Sequence, residues 1–470
     1  MHLFTRLFLI AFVVTALPSI ARSDEAARTM RVDYVHAGNA LAEEFALSRI
    51  LIEPLPWPGN ASRPIDTTNR GVNMFEVVDP QTNEVLYSRG FSTIFGEWQT
   101  TEEAKSLRRS FEESIRFPLP AKPVKVRILK RDDRNLFSVA WTFDVDPNST
   151  DVIRETPPLA AQPIAIRQSG PSSEKVDLLI LGDGYTERES AKFVADARRL
   201  SDVLFKTEPF SSRANDFNVW ALLVPTKQSG VSRPSTGQHR ASVLGTRYDI
   251  FGSERYVLTL DNRALRDIAQ HAPYEFIEIL VNNETYGGGG IFGQFSTAAA
   301  GSGWADYLFV HEFAHHFAAL ADEYYTSPVA YLPSELRPEP WEPNVTAMHD
   351  PSRLKWKGKV GPDTALPTPW PKEEFEAFQR EYQTARAELR KANRPESEME
   401  ALFRREREFT QRLLNSSPNI GKVGAFEGAN YQASGYYRSE MQCIMFSRIE
   451  HFCSVCRDAI EEIIDLYTRP

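Results

Sequence analysis

Residues 176–206 read VDLLILGDGYTERESAKFVADARRLSDVLFK. Val176–Leu181 is a continuous apolar run, the pattern of a strand buried on both faces. After GDGYT, Phe193, Ala197, Leu200 and Leu204 recur at spacings of three and four, which predicts one helix over 187–206. The rhythm continues downstream. Phe217–Val224 reads as a strand, 226–248 as a polar loop, Asn262–His271 as a helix and Phe276–Val281 as a third strand. Strands alternating with helices argue for an α/β domain with a mainly parallel sheet. GDGYT lacks both the G-x-G-x-x-G spacing and the P-loop lysine, so its predicted role is strand-end packing and helix capping.

Working outward, residues 30–150 hold short alternating stretches such as MRVDYVHAG and NMFEVVDPQTNEVLYSRGF. DPQTNEV between two alternations suits a hairpin. This region reads as a β-sandwich of about 120 residues, interrupted by one helical stretch around Thr101–Phe111. A Pro-rich segment, Glu155–Pro163, follows. The expected organisation is a signal peptide at 1–23, a β-sandwich at 24–154, a linker at 155–170 and the α/β domain at 171–470. Within the last, 372–414 reads as a charged helical hairpin, an inserted structural arm: Phe375, Phe378, Tyr382, Ala385 and Leu389 mark one face, and Arg394-Pro395 breaks the pattern.

The 470 residues are 42% hydrophobic and 25% charged, an ordinary globular composition. A net charge of -9 argues against nucleic acid as the main partner and against a polybasic grip on anionic lipid. Arg6 precedes an apolar run from Leu7 to Leu17, with small residues at Ser19, Ala21 and Ser23. That is the pattern of a secretory signal, too short for the roughly 20 residues that span a bilayer. The chain is expected to be secreted or periplasmic, with no stable membrane span after cleavage. Its three cysteines, Cys443, Cys453 and Cys456, lie within 14 residues. In an exported protein they predict one local disulfide and a leftover thiol; the rival reading adds His451 to make a Cys3His zinc site.

The chemistry concentrates in WADYLFVHEFAHHFAAL, residues 304–320. No proline interrupts it, Ser302 can cap it, and Phe309, Phe313, Phe317 and Leu320 form a stripe to pack on the sheet. His311 and His315 are four apart, so both imidazoles leave the same face, as two ligands of one tetrahedral zinc require. Glu312 can reach a water on that metal without ligating it. His316 points about 100° away and reads as non-ligating. A third ligand is still needed. Asp322 is preferred over Glu323, but on an unbroken helix it would lie about 10.5 Å past His315. The helix must therefore end near Ala318–Leu320.

These residues resemble the IgA peptidase family, M64, among metzincin-like zinc peptidases. The likeness is carried by VDLLILGDGYT at 176–186, YGGGG at 286–290, HEFAHHFAALADEYY at 311–325, EPNVT at 342–346, CIM at 443–445 and FCSVC at 452–456. It implies a zinc endopeptidase with His311, His315 and Asp322 on the metal, Glu312 in catalysis and Met445 in a tight turn beneath. The metzincin pattern has a glycine and a third histidine where this chain has Ala318 and Ala321. The expected fold is a zincin-like α/β domain with a mixed sheet and an active-site helix, preceded by the β-sandwich. The expected partner is a protein or peptide, with glycan or protein contact through the N-terminal domain. The alternatives are an inactive secreted binding protein and a zinc hydrolase of non-peptide amides. Two secondary features belong to the cleft: Gly287–Gly290 as an edge strand for an extended peptide, and Tyr436 or Tyr437 as an oxyanion donor.

Overall fold

The computed structural model describes residues 27–329 and 336–469; the expected signal peptide lies outside them. Seven strands come first: β1 (Arg28–Gly38), β2 (Glu43–Pro56), β3 (Asn73–Val78), β4 (Val85–Phe91), β5 (Arg109–Pro118), β6 (Val124–Arg131) and β7 (Phe137–Val145), with helix α1 (Ile94–Gln99) between β4 and β5. They form two antiparallel sheets, ordered β2-β1-β5 and β4-β3-β6-β7. Alternate residues Met30, Val32 and Tyr34 of β1 meet Val124, Val126 and Ile128 of β6 in one core. Period-2 alternation thus builds the sandwich.

The helical stretch expected around 101–111 is reduced to one 3-10 turn at Glu103–Lys105, and the α-helix sits earlier, at 94–99. Thr93 caps it by accepting the Gly96 N–H, and Phe111 instead lies in β5, paired with His36 of β1. The segment expected as linker is also shorter than 155–170: Ile164–Arg167 (β8) already pairs with the α/β sheet.

Six strands make that sheet: β8, β9 (Val176–Asp183), β10 (Phe217–Leu223), β11 (Phe276–Val281), β12 (Gly288–Ile291) and β13 (Phe295–Ala299). Their order is β12-β13-β11-β9-β10-β8. The four central strands are parallel, while β12 and β8 run antiparallel at the edges. Leu178 and Ile180 face a core formed with α2 (Ser190–Leu204), α4 (Ala305–Ala318) and α7 (Ser454–Thr468). Leu179 and Leu181 face the opposite core, with α3 (Asn262–Ala269) and with Ile94, Phe95 and Trp98 of α1. The sandwich therefore contributes a helix to the second domain's interior.

The helical hairpin is α5 (Lys372–Lys391) and α6 (Glu396–Asn415). Its apolar face is not an outlying arm: Phe375, Tyr382, Met399 and Phe403 belong to the main core. A last small sheet comprises β14 (Val345–Thr346), β15 (Phe426–Ala429) and β16 (Gln432–Arg438), in the order β14-β16-β15. Among the described residues, no helix is long and apolar enough to cross a membrane.

Candidate active site

Helix α4 lies across β12 and β13, with Phe313 and Phe317 stacked on each other and packed against Phe276, edge-on from Phe313 and tilted from Phe317. Ser302 is not its cap; Trp304 holds that position and donates its N–H to the Ser302 hydroxyl. One turn apart, His311 and His315 bring their Nε2 atoms to 3.2 Å. Each ring is fixed from behind. His311 Nδ1 meets the Ile444 carbonyl at 3.1 Å, and His315 Nδ1 meets that of Leu320. Those bonds occupy both Nδ1 atoms, so both Nε2 atoms face inward. His316 turns away: its Nδ1 meets the Ile291 carbonyl and its Nε2 accepts the Ile277 N–H. Burial pushes it down to about 3, so it is a neutral structural residue.

The helix stops at Ala318 because Ala319 takes the left-handed conformation, φ 55°. The Ala319 N–H still bonds back to the Ala314 and His315 carbonyls. Glycine is the usual occupant of such a cap, and alanine holds it at a cost. The reversal returns Asp322 to the histidines: its Oδ1 lies 3.1 Å from His311 Nε2 and 3.3 Å from His315 Nε2. The three donor atoms thus form a nearly equilateral triangle of 3.1–3.3 Å. Donors at roughly 2.0–2.1 Å from a tetrahedral divalent ion stand about 3.3 Å apart, so the set fits such an ion. Asp322 Oδ1 is buried without a hydrogen-bond partner, as an inward-facing ligand atom should be. Glu323 is elsewhere: it turns to the opposite side and into a group of thiols.

Charge follows geometry. Burial works against a cationic His315, but the Asp322 carboxylate outweighs it and raises the imidazole to about 9. Asp322 is held well below the usual carboxylate range: burial opposes its charge, and the two histidines overcome that. Burial raises Glu312, with His311 and His315 pulling the other way. Its carboxylate lies within 4.8 Å of the two imidazoles, a separation that admits a water.

The triangle opens into a cleft of ≈ 410 Å³. Val72, Ser92, Thr93, Gly96, Glu97 and Thr100 of the N-terminal domain form one wall. Glycine is required in β12, where the strand passes close to α4: a Cβ on Gly288 would sit 2.9 Å from Glu312 Cγ, and one on Gly290 would collide with the Glu312 carbonyl. The outward N–H and C=O of Gly288 are taken by Arg255 and Val257. Two residues on, strand alternation directs those of Gly290 to the same side, which lines the cleft.

Several contributors were not foreseen from the sequence. Tyr431 donates to Asp322 Oδ2 at 2.6 Å. It sits in the β15–β16 turn, where Asn430 and Tyr431 are both left-handed, φ 51° and 62°. That is the two-residue hairpin turn normally filled by Asn-Gly. The Asn430 N–H also donates to the Asp322 carbonyl, and that of Tyr431 to Tyr324. Arg255, half-buried in the cleft wall, donates to the Tyr324 hydroxyl at 2.8 Å. Of the two tyrosines expected as oxyanion donors, Tyr436 lines the cleft but gives its hydroxyl to the Pro338 carbonyl, whereas Tyr437 is not among the lining residues. Behind the helix, residues 443–446 turn tightly, closed by the Phe446 N–H on the Cys443 carbonyl, with Met445 fully buried.

The family model described as IgA Peptidase M64 matches residues 164–464, more than half of the chain, and that described as Peptidase M64 N-terminus matches residues 24–142. The chain belongs to the IgA peptidase M64 family. No curated protein is matched by it. Membership in M64 makes it a peptidase, with protein as its substrate class, in a family of metallopeptidases. The His311–His315–Asp322 triangle is the donor set facing the cleft of this M64 chain that could hold a metal.

Proposed function

We propose that this M64 chain is a zinc-dependent endopeptidase acting outside the cytoplasm, with His311, His315 and Asp322 on the metal and Glu312 as general base. The triangle of donors facing an open cleft, with Glu312 beside it, carries the reading. Two neutral imidazoles and a carboxylate leave one tetrahedral position for water, the arrangement of catalytic rather than structural zinc. Bound there, zinc would supply a Lewis acid that polarises the scissile carbonyl and acidifies water.

The chain's own groups do the rest. Glu312 takes the proton from the attacking water and passes it to the departing amine. Its raised affinity for protons suits a base working near neutral pH. The carbonyls of Ile444 and Leu320 keep both imidazoles in the ligating tautomer, and Tyr431 holds Asp322 in orientation. The Gly290 edge of β12 offers backbone groups to an extended substrate, by strand addition. The turn at 443–446, with buried Met445, supports the metzincin-like reading, in which Asp322 stands where a third histidine is usual.

The test is hydrolysis of an unfolded protein by the purified chain. Activity should vanish with chelator, return with zinc and be missing from Glu312→Gln, which keeps its metal. Full activity in that variant would reject the base, and activity indifferent to chelator would reject the metal. The apolar run at Leu7–Leu17 supports export. N-terminal sequencing of protein recovered outside the cytoplasm should begin after Ala21 or Ser23; an intact Met1 would reject cleavage.

A further inference from the structure

All three cysteines are free and fully buried, so the disulfide expected from the sequence is not formed. Cys443 and Cys456 stand 3.7 Å apart at sulfur, against about 2.05 Å in a disulfide. His451, the fourth donor of the rival zinc reading, is exposed. In its place Glu323 brings Oε1 to 3.4 Å from Cys456 Sγ and 3.9 Å from Cys453 Sγ. Single donor atoms of Cys443, Cys453, Cys456 and Glu323 all fall within 4.8 Å of one another.

We propose that Cys443, Cys453, Cys456 and Glu323 form a second metal site, a closed structural site for a thiolate-binding divalent ion of the zinc class. A tetrahedral ion with Zn–S near 2.3 Å and Zn–O near 2.0 Å sets S···S at about 3.8 Å and S···O at about 3.5 Å. The S···S separation of 3.7 Å and the S···O separation of 3.4 Å match those edges, and the second S···O separation, 3.9 Å, is longer by about 0.4 Å. Sulfurs in such sites accept backbone N–H groups, and two do here. Cys443 Sγ takes the Cys453 N–H, and Cys453 Sγ takes that of Cys456, in the first turn of α7. Anionic sulfur is favoured at a helix N-terminus.

The surroundings carry the charge argument. Glu323 is completely enclosed, and its Oε2 has no hydrogen-bond partner. Arg438 is also enclosed, within electrostatic reach of Glu323 and Cys443, and its Nε and Nη2 are unpartnered. Three thiolates and a carboxylate carry four negative charges; a divalent ion cancels two, and Arg438 offsets a third. Without a metal, the thiols and carboxyl of this pocket could not all hold negative charge away from water. Binding releases the thiol protons to solvent, with no change in oxidation state.

The site would brace the peptidase centre. Asp322 and Glu323 are neighbours serving opposite sides, and Cys443 precedes Ile444, whose carbonyl fixes His311. The Glu323 N–H also bonds to the Met445 carbonyl at 2.8 Å. One ion would thus clamp the reversal after α4 to the turn behind it.

This proposal does not rest on the peptidase reading, and one variant separates the two. The full chain with His311→Ala and His315→Ala, expressed with zinc and gel-filtered, should be inactive yet retain one zinc per chain, against two in the parent. Because thiol removal can itself unfold the protein, cobalt(II) loaded into that folded histidine variant carries the decision. A thiolate-to-cobalt charge-transfer band with tetrahedral d–d absorption supports the site, and Glu323→Gln in the same background should shift the d–d bands. A folded variant that takes up neither ion, or a Cys443–Cys456 disulfide in the anaerobically purified chain, overturns it.

Discussion

The proposed metal triangle is assembled from two unlike regions. His311 and His315 come from a regular helix, where a four-residue spacing aligns them and a phenylalanine stripe seats them on the sheet. Asp322 comes from an irregular reversal held by a left-handed alanine, by the Asn344 side chain bonded to both backbone groups of Ala321, and by a left-handed tyrosine from a distant hairpin. Local periodicity sets the first pair, and tertiary contacts set the third donor. The helix side should therefore fail all at once when its donors change, whereas the reversal should respond in degrees.

The sharpest break is on the helix. Glu312→Gln should retain metal and fold while losing about 10²–10⁴-fold in hydrolysis rate; rates and zinc content measured on one sample check both halves. On the reversal, Asp322→Ala removes a ligand, and zinc should be lost to a mild chelator that the parent resists. Tyr431→Phe is gentler. It removes one outer hydrogen bond, and the apparent zinc affinity should fall about 10–100-fold with an unchanged circular-dichroism spectrum. An effect as large as that of Asp322→Ala would mean the tyrosine does more than orient.

Acid sharpens the same contrast. In the metal-free chain His315 is held at about 9, so near pH 7 it carries a proton that the incoming cation must displace. Protons compete with metal, and zinc affinity should fall about tenfold for each pH unit below about 9. Competition titrations at two pH values measure the slope. The smallest effect belongs to Ala319→Gly: relief of the left-handed cap should raise stability by about 0.5–1 kcal/mol, read as a higher Tm, with activity intact.

How much was legible in the sequence divides along the same line. Val176–Leu181, Phe217–Val224 and Phe276–Val281 stood out because strands covered on both faces must be apolar throughout. The geometry that brings Asp322 beside the histidines was legible only as a requirement, since a straight helix could not deliver it. The helix sought at 101–111 was misplaced because α1 has only six residues, too few to show a period. The roles of Tyr431 and Arg255 gave no local signal: each depends on where a distant segment comes to rest. Glu323 was weighed for the wrong partner, because adjacent acids in a chain reversal can face opposite ways.

Arg70 of the N-terminal domain gives its guanidinium to the carbonyls of Ala318 and Ala459, in the last turn of α4 and within α7, and pairs with Glu462. Together with α1 buried under the central sheet, this makes the front half of the protein a missing piece of the back half's interior. A gene trimmed to the catalytic half would encode an incomplete core rather than a smaller enzyme, and grafting the front half elsewhere would carry away part of the scaffold.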